Sequence, residues 1–169
     1  MDRHCFPRLA LACCLALASL ASLAQDEIYV TNSNSNAVTV YALKANGNAA
    51  PLRTLAGNLT GLSSHSGIAF DAAGGFDDIV VSTPFYGAQF QPALLFFPRT
   101  GSGNISPTRV IGGDTATTQL PSPNGLAAAN SLIYVPNSGA NSIAVHQSLL
   151  TGVAPPIRRI AGAATLLNN

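Results

Sequence analysis

The sequence contains little cysteine, and all of it lies near the N-terminus. The three cysteines are Cys5, Cys13 and Cys14, and the only methionine is Met1. From residue 25 onward there is therefore no thiol to form a disulfide, to act as a nucleophile or to ligate a metal as a thiolate. Any chemistry of that larger segment has to come from other residue types.

Charged residues are also scarce, at 9% of the chain. After residue 24 the basic and acidic residues balance, and they form no basic run with interleaved aromatics. The basic residues are Lys44, Arg53, Arg99, Arg109, Arg158 and Arg159, and the acidic ones are Asp26, Glu27, Asp71, Asp77, Asp78 and Asp114. This balance argues against nucleic acid as a partner.

The first 24 residues differ in character from the rest. Arg3 and Arg8 precede an uncharged run over 9–23 made almost wholly of Leu, Ala, Cys and Ser, and Ser22-Leu23-Ala24 places small residues at a cleavage site. These features predict a secretory signal peptide, 1–24, cleaved after Ala24. A membrane anchor is the alternative, but the run is shorter than the ~20 residues that a span requires. We therefore expect a secreted or periplasmic protein with no membrane span after cleavage.

A five-residue segment, Ile28-Tyr29-Val30-Thr31-Asn32, returns at 79–83 and at 133–137. In the first and third copies a second apolar segment follows ten residues later, beginning at Val38 and at Ile143. Alternation of β-branched or aromatic residues with small or polar ones is typical of half-buried strands. The Asn/Ser-rich residues between the segments predict a hairpin turn.

Two further elements recur in fixed order. A Pro-x-Arg-x-[Leu/Val/Ile]-x-Gly pattern occurs at 51–57, 107–113 and 156–162, and a Gly-[Ile/Leu]-Ala element occurs at 67–69 and 125–127. The copies differ in length because the second has a longer turn, at 84–92. One insertion thus explains the whole irregularity, as expected for a tandem repeat.

Four antiparallel strands repeated every 40 to 50 residues or so are typical of a β-propeller blade. No 3.6-residue apolar stripe supports a helical repeat, and a β-sandwich, the alternative, gives no reason for Pro-x-Arg to recur in register. The sequence predicts an all-β partial β-propeller over 25–169: an open arc of about three four-stranded antiparallel blades, at 28–57, 67–113 and 124–162.

The motifs also resemble known families. Tyr29-Val30-Thr31-Asn32 followed by Ala37-Val38-Thr39-Val40-Tyr41 looks like the signature of the bacterial YVTN β-propeller repeats, and Gly67-Ile68-Ala69-Phe70-Asp71 leading to Ile79-Val80-Val81 is similar to the NHL repeat. The second copy departs from both, with Ser82-Thr83 and a long turn behind. The resemblance implies a propeller fold, and it implies no single function because such families include both binding scaffolds and enzymes.

Three blades fall short of the ~4 to 8 of a closed propeller. The first copy has no Gly-Ile-Ala element before Ile28, so its blade is incomplete. One hypothesis is that the chain is the N-terminal part of a longer propeller. The other is a half-ring that self-associates through its open blade edges, which would leave no exposed edge.

The candidate ligand contacts are Phe85, Tyr86, Phe90 and His65. The three aromatics lie in the inserted turn, where they could stack on a carbohydrate or contact a protein, or pack back over the blade. His65 lies in the loop before the second Gly-Ile-Ala element. We predict no catalytic residue, cofactor or metal, and the ligand class stays open between protein and carbohydrate.

Two polar patterns have structural explanations. Arg53, Arg109 and Arg158 occupy the last strand of each blade, where solvated charge discourages edge pairing. The acidic segment 71–78 lacks the spacing of a calcium loop and is interpreted as the turn between two strands.

The leading functional interpretation is an exported, non-catalytic β-propeller module that binds or scaffolds. The alternative is a fragment of a propeller enzyme resembling gluconolactonase or streptogramin lyase, in which acidic metal ligands or a catalytic histidine come from several blades. Only Asp71, His65 and Asp114 lie near suitable loops for that role.

Overall fold

The repeated segments form three antiparallel sheets in a computed structural model, which describes residues 27–89 and 91–168. Sheet 1 consists of β1 (Glu27–Asn32), β2 (Ala37–Ala42) and β3 (Arg53–Ala56). Sheet 2 consists of β4 (Ile68–Asp71), β5 (Asp78–Tyr86), β6 (Gln91–Pro98) and β7 (Arg109–Gly112). Sheet 3 consists of β8 (Ala127–Ala129), β9 (Leu132–Asn137), β10 (Ser142–Gln147) and β11 (Arg158–Ala161). Within each sheet the strands lie side by side in chain order.

Helix is almost absent from the described residues. The one α-helical segment there, α1, spans Thr115–Thr118, and the other helical pieces are three-residue 3₁₀ turns. The expectation of an all-β chain is confirmed, with three strands in the first sheet and four in each of the others. The predicted signal peptide, 1–24, lies outside the described residues.

Asparagine closes the hairpins that the repeated Asn/Ser segments predicted. Asn36 and Asn141 each follow a 3₁₀ turn and adopt left-handed backbone angles, with φ of 49° and 44°. Asparagine tolerates this conformation better than most residues. The turns set the register, in which Asn32 pairs with Ala37 and Asn137 pairs with Ser142.

The sheets pack face to face through two apolar clusters. Between sheets 1 and 2 the cluster includes Val38, Leu55, Ile79, Val81, Leu95 and Phe97. Between sheets 2 and 3 it includes Val80, Leu94, Phe96, Ile111, Ile133 and Val135. Successive residues of a strand point to opposite faces. Neighbours in β5 such as Val80 and Val81 therefore belong to different clusters, and sheet 2 is buried on both sides.

A loop from each later sheet also bonds to the edge strand of the sheet before it. We call these docking loops: residues 99–107 between β6 and β7, and residues 148–156 between β10 and β11. In the first, the Gly103 N–H donates to the Thr54 carbonyl at 2.7 Å, and the Ala56 N–H donates to the Gly103 carbonyl at 3.1 Å. This is a short parallel bridge beside Leu55.

The second docking loop repeats the first. The Gly152 N–H donates to the Val110 carbonyl at 2.7 Å, and the Gly112 N–H donates to the Gly152 carbonyl at 3.1 Å. Gly103 and Gly152 have φ of 72° and 77°, a backbone conformation that favours glycine. The joint between sheets 1 and 2 is therefore repeated between sheets 2 and 3.

Gly67, the glycine of the Gly-Ile-Ala element, lies close to the backbone of Asn124 and Gly125, just before β8. A Cβ on Gly67 would stand 2.7 Å from the Asn124 carbonyl oxygen. The Ser82 hydroxyl bridges this approach, because it accepts the Gly67 N–H at 3.0 Å and donates to the Asn124 carbonyl at 2.9 Å. A side chain at this position would force the two backbones apart.

Candidate functional site

The inserted segment of the second copy forms an extended hairpin. The sequence predicted a long turn from Pro84 to Pro92, but β5 continues to Tyr86 and β6 begins at Gln91, and these two residues pair. The register shifts between Thr83 and Tyr86, as at a β-bulge. The turn is thus shorter than predicted, because some of the added residues continue the two strands beyond the bulge.

Thr83 fixes the course of the bulge. Its hydroxyl donates to the Ser63 carbonyl at 2.6 Å and accepts the Phe85 N–H at 3.3 Å. Thr83 is fully buried, so these bonds satisfy a polar group that water does not reach. Phe85 and Tyr86 are consecutive residues of β5, so their side chains point to opposite faces.

Tyr86 anchors the hairpin, and Phe85 is left on the surface. Tyr86 packs against the cluster between sheets 1 and 2, and its ring covers Gly61 so closely that a Cβ there would lie 2.5 Å from it. Phe85 keeps 46% of its surface exposed. Tyr86 therefore packs back over the sheet, whereas Phe85 is exposed. Phe90, the third predicted contact, lies outside the described residues.

A cleft of about 400 Å³ opens beside Phe85, between the β1–β2 turn and the segment that follows β3. Its lining combines polar and apolar surface and includes Ser35, Asn36, Asn58, Leu62 and Ser63 together with the phenyl ring. The Asn36 Oδ1 accepts the Ser64 N–H at 3.1 Å, which ties the turn to the far wall. The cleft thus joins amide and hydroxyl groups with one exposed aromatic face.

His65 does not reach this cleft. Its side chain is fully buried, and its Nε2 lies 3.0 Å from the Ala37 carbonyl oxygen, a contact that joins the entry of sheet 2 to sheet 1. Burial lowers the pKa of His65 below its ordinary value, so the ring is neutral and donates from Nε2. The loop position suggested a surface residue, whereas in this structure the imidazole contacts protein.

The arginine ladder lies on edge strands, as predicted, but two of its members are largely buried in ion pairs. Arg53 forms two 2.8 Å bonds to the Glu27 carboxylate and a 3.2 Å bond to the Arg99 carbonyl. These bonds from Arg53 lower the pKa of Glu27 to about 2. The expected solvated edge charge is therefore an ion pair at a joint between sheets.

Arg109 repeats this arrangement one sheet later. It bonds Asp78 at 2.9 Å and Asp71 at 3.2 Å, and it donates to the Ser148 carbonyl, which occupies the place of the Arg99 carbonyl. Its guanidinium also lies 4.1 Å from the centre of the Phe96 ring, a cation–π distance. Two carboxylates of the acidic segment 71–78 therefore bind Arg109. Within 27–89 and 91–168, no group of three or more His, Cys, Asp or Glu side chains could hold a metal ion.

The remaining residues named for the enzyme alternative also have structural partners. Asp114 caps α1 by accepting the Ala116 and Thr117 N–H groups, and the Asp71 Oδ1 accepts the Ala73 N–H at 3.2 Å. Sequence reasoning missed the Glu27–Arg53 and Asp78–Arg109 pairs. One signal was available, because each acid directly precedes the repeated isoleucine, Ile28 or Ile79.

Fold and site together define an all-β protein of three packed antiparallel sheets with a cleft beside an inserted hairpin. Comparisons with protein-family models, with curated proteins and with solved structures give no match. In the described part of the chain, no helix is both long enough and apolar enough to cross a bilayer.

Proposed function

We propose that this chain is an exported, non-catalytic binding module of β-propeller type, related to the YVTN and NHL repeats, and that it binds carbohydrate in the cleft beside Phe85. The blade interpretation is supported by the serial strand order of each sheet and by the repeated joint between sheets. The predicted leader supports export.

The observation that carries the proposal is the exposed Phe85 ring in a cleft that is also lined by asparagine and serine residues. Sugars present an apolar C–H face that stacks on aromatic rings and hydroxyl groups that bond to amides, so an aromatic beside convergent polar groups suits them. Asn36, Asn58 and Ser63 are polar residues that line the same cleft. A protein ligand, the other predicted class, is less favoured because the residues that line the cleft besides Phe85 and Leu62 are asparagine, serine and glycine.

The test is calorimetric titration of the purified chain with soluble neutral oligosaccharides and amino-sugar oligosaccharides. We expect binding by the wild type and at least about tenfold weaker binding by Phe85→Ala, since tenfold corresponds to the ~1.4 kcal/mol available from stacking. Phe70→Ala removes an aromatic that is also exposed, at 54%, but lies elsewhere, so it should bind as the wild type does.

Phe85→Ala should keep the wild-type fold, because the ring is half exposed and Tyr86 anchors the hairpin. Circular dichroism of both variants checks this. The proposal is overturned if the wild type binds none of these saccharides, or if Phe85→Ala and Phe70→Ala bind alike.

A further inference from the structure

The outer face of sheet 3, which points away from sheet 2, is equivalent to the faces of sheets 1 and 2 that the following sheet covers. Leu55 on β3 and Ile111 on β7 are buried, at 2% and 0% exposure, whereas Ile160 at the equivalent position of β11 is 49% exposed. Beside Leu55 and Ile111 lie Gly103 and Gly152 of the docking loops. No described residue occupies that place beside Ile160.

Backbone groups on this edge are oriented for the same joint. In sheets 1 and 2 the joint uses the carbonyl one residue before the buried apolar residue and the N–H one residue after it. The counterparts in β11 are the Arg159 carbonyl and the Ala161 N–H, which point away from β10 because the register is the same. Ile160 thus lies on an edge equivalent to those that dock a loop in sheets 1 and 2.

The outer face of sheet 1 is the complementary surface. Ile28 and Val30 are 39% and 37% exposed, although the equivalent residues Ile79 and Val81, and likewise Ile133 and Val135, are buried against a preceding sheet. In sheets 2 and 3, the face that carries these residues packs against the preceding sheet. Sheet 1 therefore carries an apolar surface of the type that sheet 3 leaves uncovered.

Sheet 1 also has a loop equivalent to the docking loops, residues 43–51 between β2 and β3. It has the same length as the other two, and Gly47 stands at the position of Gly103 and Gly152 with φ of 64°. Asn48 matches Asn104, whose Oδ1 accepts the Leu59 N–H at 2.8 Å and whose side chain covers Gly57. The counterpart of Gly57 is Gly162, which has open space around it.

We propose that two copies of this chain associate head to tail, with the outer face of sheet 1 of one copy on the outer face of sheet 3 of the other. Gly47 of one copy then bonds the Arg159 carbonyl and the Ala161 N–H of the other, and Asn48 covers Gly162. Arg158 donates to the Leu43 carbonyl, as Arg53 and Arg109 donate to loop carbonyls at the internal joints. The partner is a second copy because one chain carries both halves of the joint.

A contact between two different surfaces either closes into a ring or propagates as a filament. Two copies supply six sheets, within the ~4 to 8 of closed propellers, so we expect a closed pair with two identical joints. The closure rests on the proposed propeller-type stacking. It does not involve the Phe85 cleft, so saccharide titration of a monomeric variant tests ligand binding separately.

Sedimentation equilibrium of the purified, processed chain should give twice the chain mass. Ile160→Lys and Ile28→Lys should each give a monomer, because either charge would be buried at both joints. Ile157→Lys is the matched control: Ile157 is 48% exposed, and its counterpart Leu52 remains 50% exposed although sheet 1 is docked. This variant should stay dimeric.

Mixing Ile160→Lys with Ile28→Lys should restore a mixed dimer held by one intact joint, and this dimer should be weaker than the wild-type pair because its other joint carries both lysines. Circular dichroism should show that both variants keep the wild-type fold, as expected for half-exposed positions. A monomeric or polydisperse wild type overturns the proposal. A dimer that persists in one of the two variants also overturns it, because sheet 1 would then pair with sheet 1, or sheet 3 with sheet 3.

Discussion

His146 is a histidine where the sibling sheets carry large aromatic residues. It pairs with Ile133 in the same register in which Phe97 pairs with Ile79 and Tyr41 pairs with Ile28. Its side chain is fully buried, and this burial lowers the pKa of His146 to about 4. The ring therefore occupies a core position as a neutral group.

The pKa difference makes His146 a source of acid sensitivity. The unfolded chain takes up a proton near the ordinary histidine pKa of about 6.5, whereas the folded chain resists it until about pH 4. Between these values the unfolded state binds more protons, so stability falls as pH falls, by up to about 3 kcal/mol at 1.36 kcal/mol per pKa unit.

The check is urea unfolding of the wild type and His146→Phe at pH 7 and pH 4.5. Phenylalanine is the residue at the equivalent position of sheet 2 and carries no proton. The variant should lose less stability than the wild type over this interval, whatever its stability at pH 7. The shared contributions of His65 and Glu27 cancel in that comparison. Equal losses in the two proteins would contradict the assignment.

The positions of the edge strands could be predicted from the repeated pattern, but their contacts could not. The Pro-x-Arg element predicted β3, β7 and β11 in register, because each copy carries the same residues at the same spacing. Their role was not predictable from one copy, since the carbonyl that Arg109 bonds belongs to Ser148 in the following sheet. Contacts between elements far apart in the chain leave little trace in local spacing.

Only part of the candidate site could be predicted from the sequence, for the same reason. The insertion identified the segment that carries Phe85, but Tyr86 turns inward because Gly61, 25 residues earlier, leaves room for its ring. His65 is buried because the Ala37 carbonyl accepts its Nε2–H across a sheet joint. In both cases the deciding partner comes from another sheet.

Arg109 on β7 should matter far more to stability than Arg159 on β11. Replacing it by Met leaves Asp71 and Asp78, both nearly buried, without their counter-charge. Removing one partner of a buried ion pair costs about 3–5 kcal/mol. Arg159→Met is the matched control, because that side chain is exposed and should change stability by less than about 0.5 kcal/mol.

Urea unfolding measures both variants. Adding Asp71→Asn and Asp78→Asn to Arg109→Met should recover part of the loss, because the uncompensated charges are then gone. If Arg109→Met and Arg159→Met unfold alike, the ion-pair cluster contributes nothing to the joint.

In the whole molecule, stability is distributed along a row of sheets in which neighbours share apolar clusters. Sheet 2 has a neighbour on both faces, whereas within the described chain sheets 1 and 3 each have one. Such an array gains stability from each sheet and from each joint between neighbours. The same substitution should therefore have different effects at equivalent positions, according to whether a joint covers them.

Ile111 and Ile160 test this directly, because they are equivalent residues of β7 and β11. Ile111→Ala leaves a cavity in the cluster between sheets 2 and 3 and should cost about 2–5 kcal/mol. Ile160→Ala removes a side chain that is 49% exposed in one chain, so at protein concentrations where the chain is monomeric it should cost about 1 kcal/mol or less. Urea midpoints of both variants under dilute conditions give the comparison. Equal losses would mean that sheets 2 and 3 do not share the joint described above, because Ile111 would then be no better covered than Ile160.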